Sequence, residues 1–355
     1  MKGMAICGIP NDIKMLSINN VTVGPEDIII KPKRIGLCAT NVKMAGYGHY
    51  AIDQRGLPFV EGHEVAGEIV EVGKDIHEYK IGDRVAVYIY IPCHNCYECI
   101  NGCPAMCENF ILDSIYPGGW AEYVRVSKKD NFNRRIFPLK EGVSYDEGAL
   151  LEPLSCVVQS IDLSKVQMGK NVVVIGSGFM GLLHLQILSH FILNQIICID
   201  LSDFRLDLAK KLGATSIIKN NNPEETIQKV LELTNGKGAD VVFEVTGNVQ
   251  AYELAVNLAA KNGKVLFFGG TQKGKIMKIE SRDLHYKMLQ LIGIANADDQ
   301  HVAKAMKIIN NKQIKLSELI THRYPLEELK EAILYFQNPD NRERILKIMF
   351  NEFSS

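Results

Sequence analysis

The sequence predicts an α/β chain of two domains, an antiparallel barrel or sandwich followed by a doubly wound parallel sheet. Three observations carry this expectation. From Met1 to about Leu150 the chain consists of short Val- and Ile-rich runs broken by glycine turns. From about Glu152 strand-like and helix-like stretches alternate. At the head of that alternation Gly176-x-Gly178-x-x-Gly181 follows an apolar run directly. A length of 355 residues suits two domains at roughly 150 residues each.

In chain order, residues 27–35, 63–72 and 83–91 read as strands, bounded by Gly-Pro, Gly-Lys and Gly-Asp turns. Residues 172–175 are continuously apolar, as a strand buried on both faces requires. A helix is expected over 180–191, a strand over 195–200, a helix over 203–212 and a short strand over 216–218. A helix over 223–233, a strand over 240–245, a helix over 250–260 and strands over 264–268 and 289–294 complete the pattern. The remainder holds a helix over 301–310 and a basic, apolar C-terminal strand, able to cap either half. There is no internal repeat.

Composition excludes several classes of protein. Forty Lys and Arg against 41 Asp and Glu give a net charge of -1, without the basic footprint of a nucleic-acid or anionic-membrane partner. No apolar run approaches the ~20 residues of a membrane helix. Gly3, Gly8 and Pro10 break the N-terminal segment, which does not read as a signal peptide. A cytoplasmic protein is expected, so the nine cysteines are not presumed to be disulfides.

Two constellations carry chemistry. The glycine triplet sits between a strand and a helix, and the next strand ends in Asp200, nineteen residues beyond Gly181. Gly176 suits the tight turn, Gly178 the approach of a pyrophosphate, and Gly181 close helix–sheet packing. Asp200 accepts hydrogen bonds from ribose hydroxyls and repels a 2′-phosphate, so NAD is expected over NADP. The cofactor set is Gly176, Gly178, Met180, Gly181, Asp200, Arg205, Gly269 and Gly270, with Arg205 bordering the adenosine ribose. The second constellation is Cys93-x-x-Cys96-x-x-Cys99-x7-Cys107, whose short gaps let a loop curl around a tetrahedral zinc. Four protein ligands leave no open position, so this zinc is structural. Cys103 is a fifth thiol, either a substitute for Cys107 or free beside the site. Donors for a second, catalytic zinc lie apart in sequence: Cys38, His63, Glu64 and Glu152.

These residues carry a resemblance to the zinc-dependent medium-chain alcohol dehydrogenase family. Gly62-His63-Glu64, the four-cysteine lobe and the Gly176 fingerprint occur in that family's order and spacing. Glu152-Pro153-Leu154-Ser155 resembles the polyol branch, the sorbitol and threonine dehydrogenases. The resemblance implies a GroES-like β-barrel catalytic domain (1–151) with a structural zinc lobe, a Rossmann NAD-binding domain (152–294), and a segment (295–355) that returns to the catalytic domain. It implies that Cys38 and His63 bind the catalytic zinc, with Glu64 and Glu152 competing for the third place. Thr40 would take the alcohol proton. The chain departs from the family at Asn41, where an Asp usually orients the ligand histidine, and at Lys43, often a histidine. Ala295-Asn296-Ala297 lacks the arginine of many sorbitol-type enzymes, which favours a neutral polyol, cyclitol or secondary alcohol, with Asn296 able to hydrogen-bond a hydroxyl. Tyr47, His49 and Trp120 are further cleft candidates. The implied function is hydride transfer between such an alcohol and NAD in a homotetramer, or alternatively a dimer. A threonine or amino-alcohol dehydrogenase and a nicotinamide-binding non-enzymatic regulator are the rival readings.

Overall fold

Beyond residue 155 the alternating pattern closes into a six-stranded sheet in which every neighbouring pair is parallel. The order across it is Ser216–Lys219, Gln195–Asp200, Asn171–Ile175, Ala239–Glu244, Ala259–Phe267 and Gln290–Gly293. The first strand in sequence lies third, beside the fourth, and the order reverses at that point. In open α/β sheets, ligands bind where the order reverses. Val172, Val173 and Val174 are completely buried, which explains the unbroken apolar run. Helices begin where short polar residues cap them. The Ser202 hydroxyl accepts from Arg205 N at 3.3 Å, and the Asn222 and Asn248 side chains accept from the first-turn amides that follow them.

In the computed structural model, which describes residues 1–109, 115–127 and 134–354, this sheet belongs to one of two compact units, Cys156–Ala295. The other unit is Met1–Ser155 together with Asn296–Ser355. Among the described residues its main sheet has seven strands. Asp27–Gly36 pairs antiparallel with Glu64–Val72, Val124–Ser127 and Lys347–Asn351. Arg84–Tyr88 and Ile136–Pro138 continue one side, and Ile320–Pro325 joins Lys347–Asn351 in parallel on the other. Lys2–Gly8 and Asp12–Ser17 form a separate antiparallel ribbon. Ile28, Ile30, Ile35, Val65, Val85, Val87 and Phe350 meet in this unit's core.

Two local outcomes differ from the sequence expectation. The strand expected over 264–268 starts earlier, at Ala259, directly out of the helix Val249–Leu258. Ala259-Ala260 favour helix by propensity, but Ala259 pairs with Ala239, and a register shift follows it. Sheet pairing overrides the local preference. Residues 38–55 carry no strong periodic signal, yet form the helices Ala39–Tyr47 and Tyr50–Arg55. Among the described residues no helix is long and apolar enough to cross a membrane.

Candidate active site

The strand Asp27–Gly36 pairs with Glu64–Val72 so that Gly36 lies opposite Glu64. Two residues on, Cys38 caps the helix Ala39–Tyr47: its Sγ accepts from Thr40 N at 3.4 Å, and Asn41 Oδ1 accepts from Cys38 N at 3.0 Å. The pairing and the cap bring Cys38, His63 and Glu64 together, each offering a ligand atom within 4.8 Å of the others. Gly36 makes room for this, because a Cβ there would collide with the Glu64 carboxylate. Both Glu64 oxygens accept from Lys347 Nζ, at 2.7 and 2.8 Å, and Lys347 also donates to Leu37 O at 3.2 Å. The two side chains are 0% and 4% exposed. The basic C-terminal strand thus delivers one buried ammonium to the site.

His63 is buried, with Nδ1 2.6 Å from Glu61 Oε1. The other oxygen of Glu61 accepts from Gly62 N and from Asn41 Nδ2. Burial disfavours the imidazolium, but Glu61, Tyr90 and Cys38 together outweigh it and raise the His63 pKa well above its ordinary value. Burial pushes the Glu61 carboxyl upward, and His63 with its other donors brings it below the usual range. Tyr90 lies tilted against His63, ring centroids 5.7 Å apart, and burial raises its phenol far above the normal value. Glu152 is buried in the first turn of the helix Leu151–Ser164, and its charge also raises the Tyr90 phenol, but it is not one of the three clustered ligand groups.

Thr40 is half-buried in the helix that Cys38 caps. Lys43 and Tyr47 are exposed on the same helix. His49 caps the next helix, its Nδ1 accepting from Ala51 N at 3.2 Å, and burial lowers its pKa. Trp120 is fully buried in the core, where a Cβ on Gly62 (φ +100°) would strike its ring. It is a packing residue, not a cleft residue. Asn296 donates to Ala105 O at 3.0 Å and so is engaged with the cysteine-rich segment. Sequence reasoning missed Glu61, Lys347 and Tyr90. The only signal for Glu61 was an acid two residues before the candidate ligand histidine.

Cys93, Cys96, Cys99 and Cys107 place their sulfurs within 4.8 Å of one another. Cys96 and Cys107 Sγ stand 3.9 Å apart, close to the ~3.8 Å edge of a tetrahedron with ~2.3 Å zinc–sulfur bonds. Amides point at the sulfurs: Cys96 N at Cys93 and Cys93 N at Cys107, each at 3.3 Å. Hydrogen bonds from Asn95 N and Asn109 pull the Cys93 thiol down to about 6, whereas burial lifts Cys99 to about 12. A dication among them would favour the thiolate form of all four. Cys103 is exposed and is not one of the four clustered sulfurs.

In the parallel-sheet unit, Gly176 has φ +98°, and a Cβ on Gly181 would collide with Gly176 O. Gly178 precedes the helix Phe179–Leu188 without a capping side chain, at a helix N-terminus of the kind that favours an anion. Arg205 Nη1 would lie 3.7 Å from a Cβ at Gly178. Met180 is half-buried in the first turn. Asp200 Oδ2 accepts from Ser177 N at 2.6 Å, and Oδ1 from Leu201 N and Ser202 N at 2.8 and 2.9 Å. The carboxylate is therefore fixed against the glycine turn. Gly269 and Gly270 follow the strand Ala259–Phe267, and Gly269 packs backbone to backbone on Gly247, leaving no space for a Cβ.

Residues 24–135 match the model of the alcohol dehydrogenase GroES-like domain, and residues 180–311 that of the zinc-binding dehydrogenases. Sorbitol dehydrogenase from Bacillus subtilis is 28% identical over 335 residues, 92% of each chain. L-Threonine 3-dehydrogenase from Bacillus licheniformis is 29% identical over 312 residues, covering 87% of this chain and 88% of that one. The crystal structure of 2R,3R-butanediol dehydrogenase from Bacillus subtilis superposes with a TM-score of 0.85 at 25% identity over 99% of both chains.

Proposed function

From the premise that this chain belongs to the zinc-dependent medium-chain alcohol dehydrogenases, and so is an oxidoreductase of alcohols, we propose that it oxidises a secondary hydroxyl of a small neutral polyol or related alcohol, with NAD as acceptor. The observation that carries this reading is the cluster of half-buried Cys38 with buried His63 and Glu64. Its thiolate, imidazole and carboxylate donors suit zinc in a three-ligand site with an open position. Bound zinc supplies the Lewis acidity that lowers a hydroxyl's pKa, and NAD accepts the hydride.

The chain's own residues do the rest. Glu64 is the third ligand in this reading, because it is the carboxylate within reach of Cys38 and His63; Lys347 holds it and offsets its charge. Glu152 acts from just outside that shell. Thr40, two residues after Cys38, presents the hydroxyl that receives the substrate proton. Asp200 accepts from the adenosine ribose and repels a 2′-phosphate. The four-cysteine loop holds a structural zinc, and the molecule works in the cytoplasm as a homotetramer.

A second reading, threonine or another amino alcohol, has one observation in its favour. Arg55 lines a cavity with Phe59, Glu61 and Tyr90, and a guanidinium is suited to a substrate carboxylate. The two are separated by following NAD reduction with sorbitol, 2,3-butanediol, cyclitols, threonine and simple primary alcohols on zinc-replete protein. The neutral-polyol reading expects the highest kcat/KM on a vicinal secondary alcohol. Turnover confined to threonine would replace it, and no NAD-linked turnover on any alcohol would remove it.

A further inference from the structure

A histidine that binds a metal through Nε2 must carry its proton on Nδ1, and an acceptor for that proton fixes both the tautomer and the ring plane. At His63 Nδ1 the structure offers an anionic acceptor. Glu61 Oε1 lies 2.6 Å from Nδ1. Asn41 approaches the same nitrogen only at 3.5 Å and with its amide nitrogen, a donor. The Asn41 side chain is committed elsewhere, its oxygen to Cys38 N and its NH2 to Glu61 Oε2. Gly62 N donates to the same Glu61 oxygen. Glu61 is 5% exposed, Asn41 0% and His63 2%. The result is a closed relay of Cys38 backbone, Asn41, Glu61 and His63, in which each acceptor oxygen has a donor.

We propose that Glu61 is the positioning residue for His63 at the catalytic metal: its carboxylate holds Nδ1–H and so aims Nε2 at the zinc, while Asn41 holds Glu61 and ties it to the helix that Cys38 caps. An amide at position 41 and an acid at position 61 form one unit. An acid at both positions would face two carboxylates across the present Asn41–Glu61 contact. This inference rests on the reading above that His63 is a zinc ligand.

The test replaces and then relocates the carboxylate in full-length protein. Metal affinity is measured by chelator competition, and the site is read independently by the visible absorption of the cobalt(II)-substituted protein. The parent should hold two zinc ions. Glu61→Gln should weaken the catalytic zinc about 10- to 100-fold and change the cobalt band, while the four-cysteine zinc stays bound. Asn41→Asp alone should also weaken it. The double variant Asn41→Asp/Glu61→Gln, which moves the acid to the other side of the same contact, should recover affinity to within a few-fold of the parent. If the parent holds only the four-cysteine zinc, both this inference and the reading beneath it fall. If the parent holds two and Glu61→Gln retains affinity and cobalt spectrum, only the inference falls. Should Glu61→Gln not fold, the double variant decides: parental affinity supports the relocated carboxylate, and lost affinity in a folded double variant overturns it.

Discussion

The charge of the candidate site is decided by single side chains that lie far apart in sequence. In the proposed site, Glu64 and Glu152 would both add negative charge near a bound metal, but Lys347 offsets Glu64 through a fully buried pair. Breaking such a pair costs ~3–5 kcal/mol, because the surviving charge is left without a partner. Glu64→Gln should therefore lose catalytic zinc and also lower the thermal midpoint. Glu152→Gln should keep zinc and stability but lose most turnover, with NAD binding intact. Metal analysis and calorimetry of the two variants check this, and parental zinc and rate in both would remove the acids from the site. Asp200→Ala should raise the KM for NAD and narrow the discrimination against NADP, as steady-state kinetics with both cofactors would reveal. Unchanged preference would take Asp200 out of its assigned place. At this scale legibility follows distance along the chain. The cysteine run stands out because its gaps are local, and Cys38, His63 and Glu64 stand out only through the family resemblance that carries them. Lys347 does not, because its partner is 283 residues away. Nor does Glu61, since nothing in the sequence distinguishes an orienting acid from a solvated one.

Elements show the same division. Strands and helices of the parallel-sheet unit were readable because apolar runs, Asn and Ser caps and glycine turns coincide there. The helix Ala39–Tyr47 was not, because its cap is a cysteine, outside the usual Ser, Thr, Asp and Asn set. Some joints depend on pH. Asp146, in the helix Tyr145–Ala149, accepts from Arg34 Nε at 3.0 Å and from Arg323 Nη1 and Nη2 at 2.9 and 2.7 Å, tying that helix to two strands. Burial pushes the Asp146 carboxyl up, but Arg323 and Arg34 overcome it and hold the pKa below normal. A depressed folded-state pKa contributes stability that is complete above the unfolded value, near ~3.9, and is lost as pH falls through the folded value. Urea midpoints measured from pH 6 down to pH 2 should fall less steeply in Asp146→Asn than in the parent over the acid end. Parallel curves would show that the joint contributes nothing.

For the whole molecule, the strand Gln290–Gly293 ends the parallel sheet with one edge unpaired among the described residues, and Leu291 and Ile292 on it are only partly covered. An apolar edge of this kind invites pairing with a second copy across a two-fold axis. Light scattering at working concentration should give a tetramer, with a dimer as its building unit, and Ile292→Lys should shift the distribution towards smaller species. A stable parental monomer would overturn the expectation.

The unit that holds Cys38, His63 and Glu64 is written at both ends of the described chain, with Cys156–Ala295 inserted between. Synthesis therefore imposes an order of events. At roughly 5–20 residues per second, Lys347 leaves the ribosome about 15–60 s after Glu64, and the inserted unit is available to fold in the interval. Until the strand Lys347–Asn351 arrives, Asp27–Gly36 lacks a neighbour and the Glu64 carboxylate has no counter-ion. A ribosome-arrested chain stopped before Lys347 should accordingly show a protease-resistant 156–295 fragment and rapid cleavage in 1–155, whereas equal resistance of the two would mean that the first segment matures without its last strand.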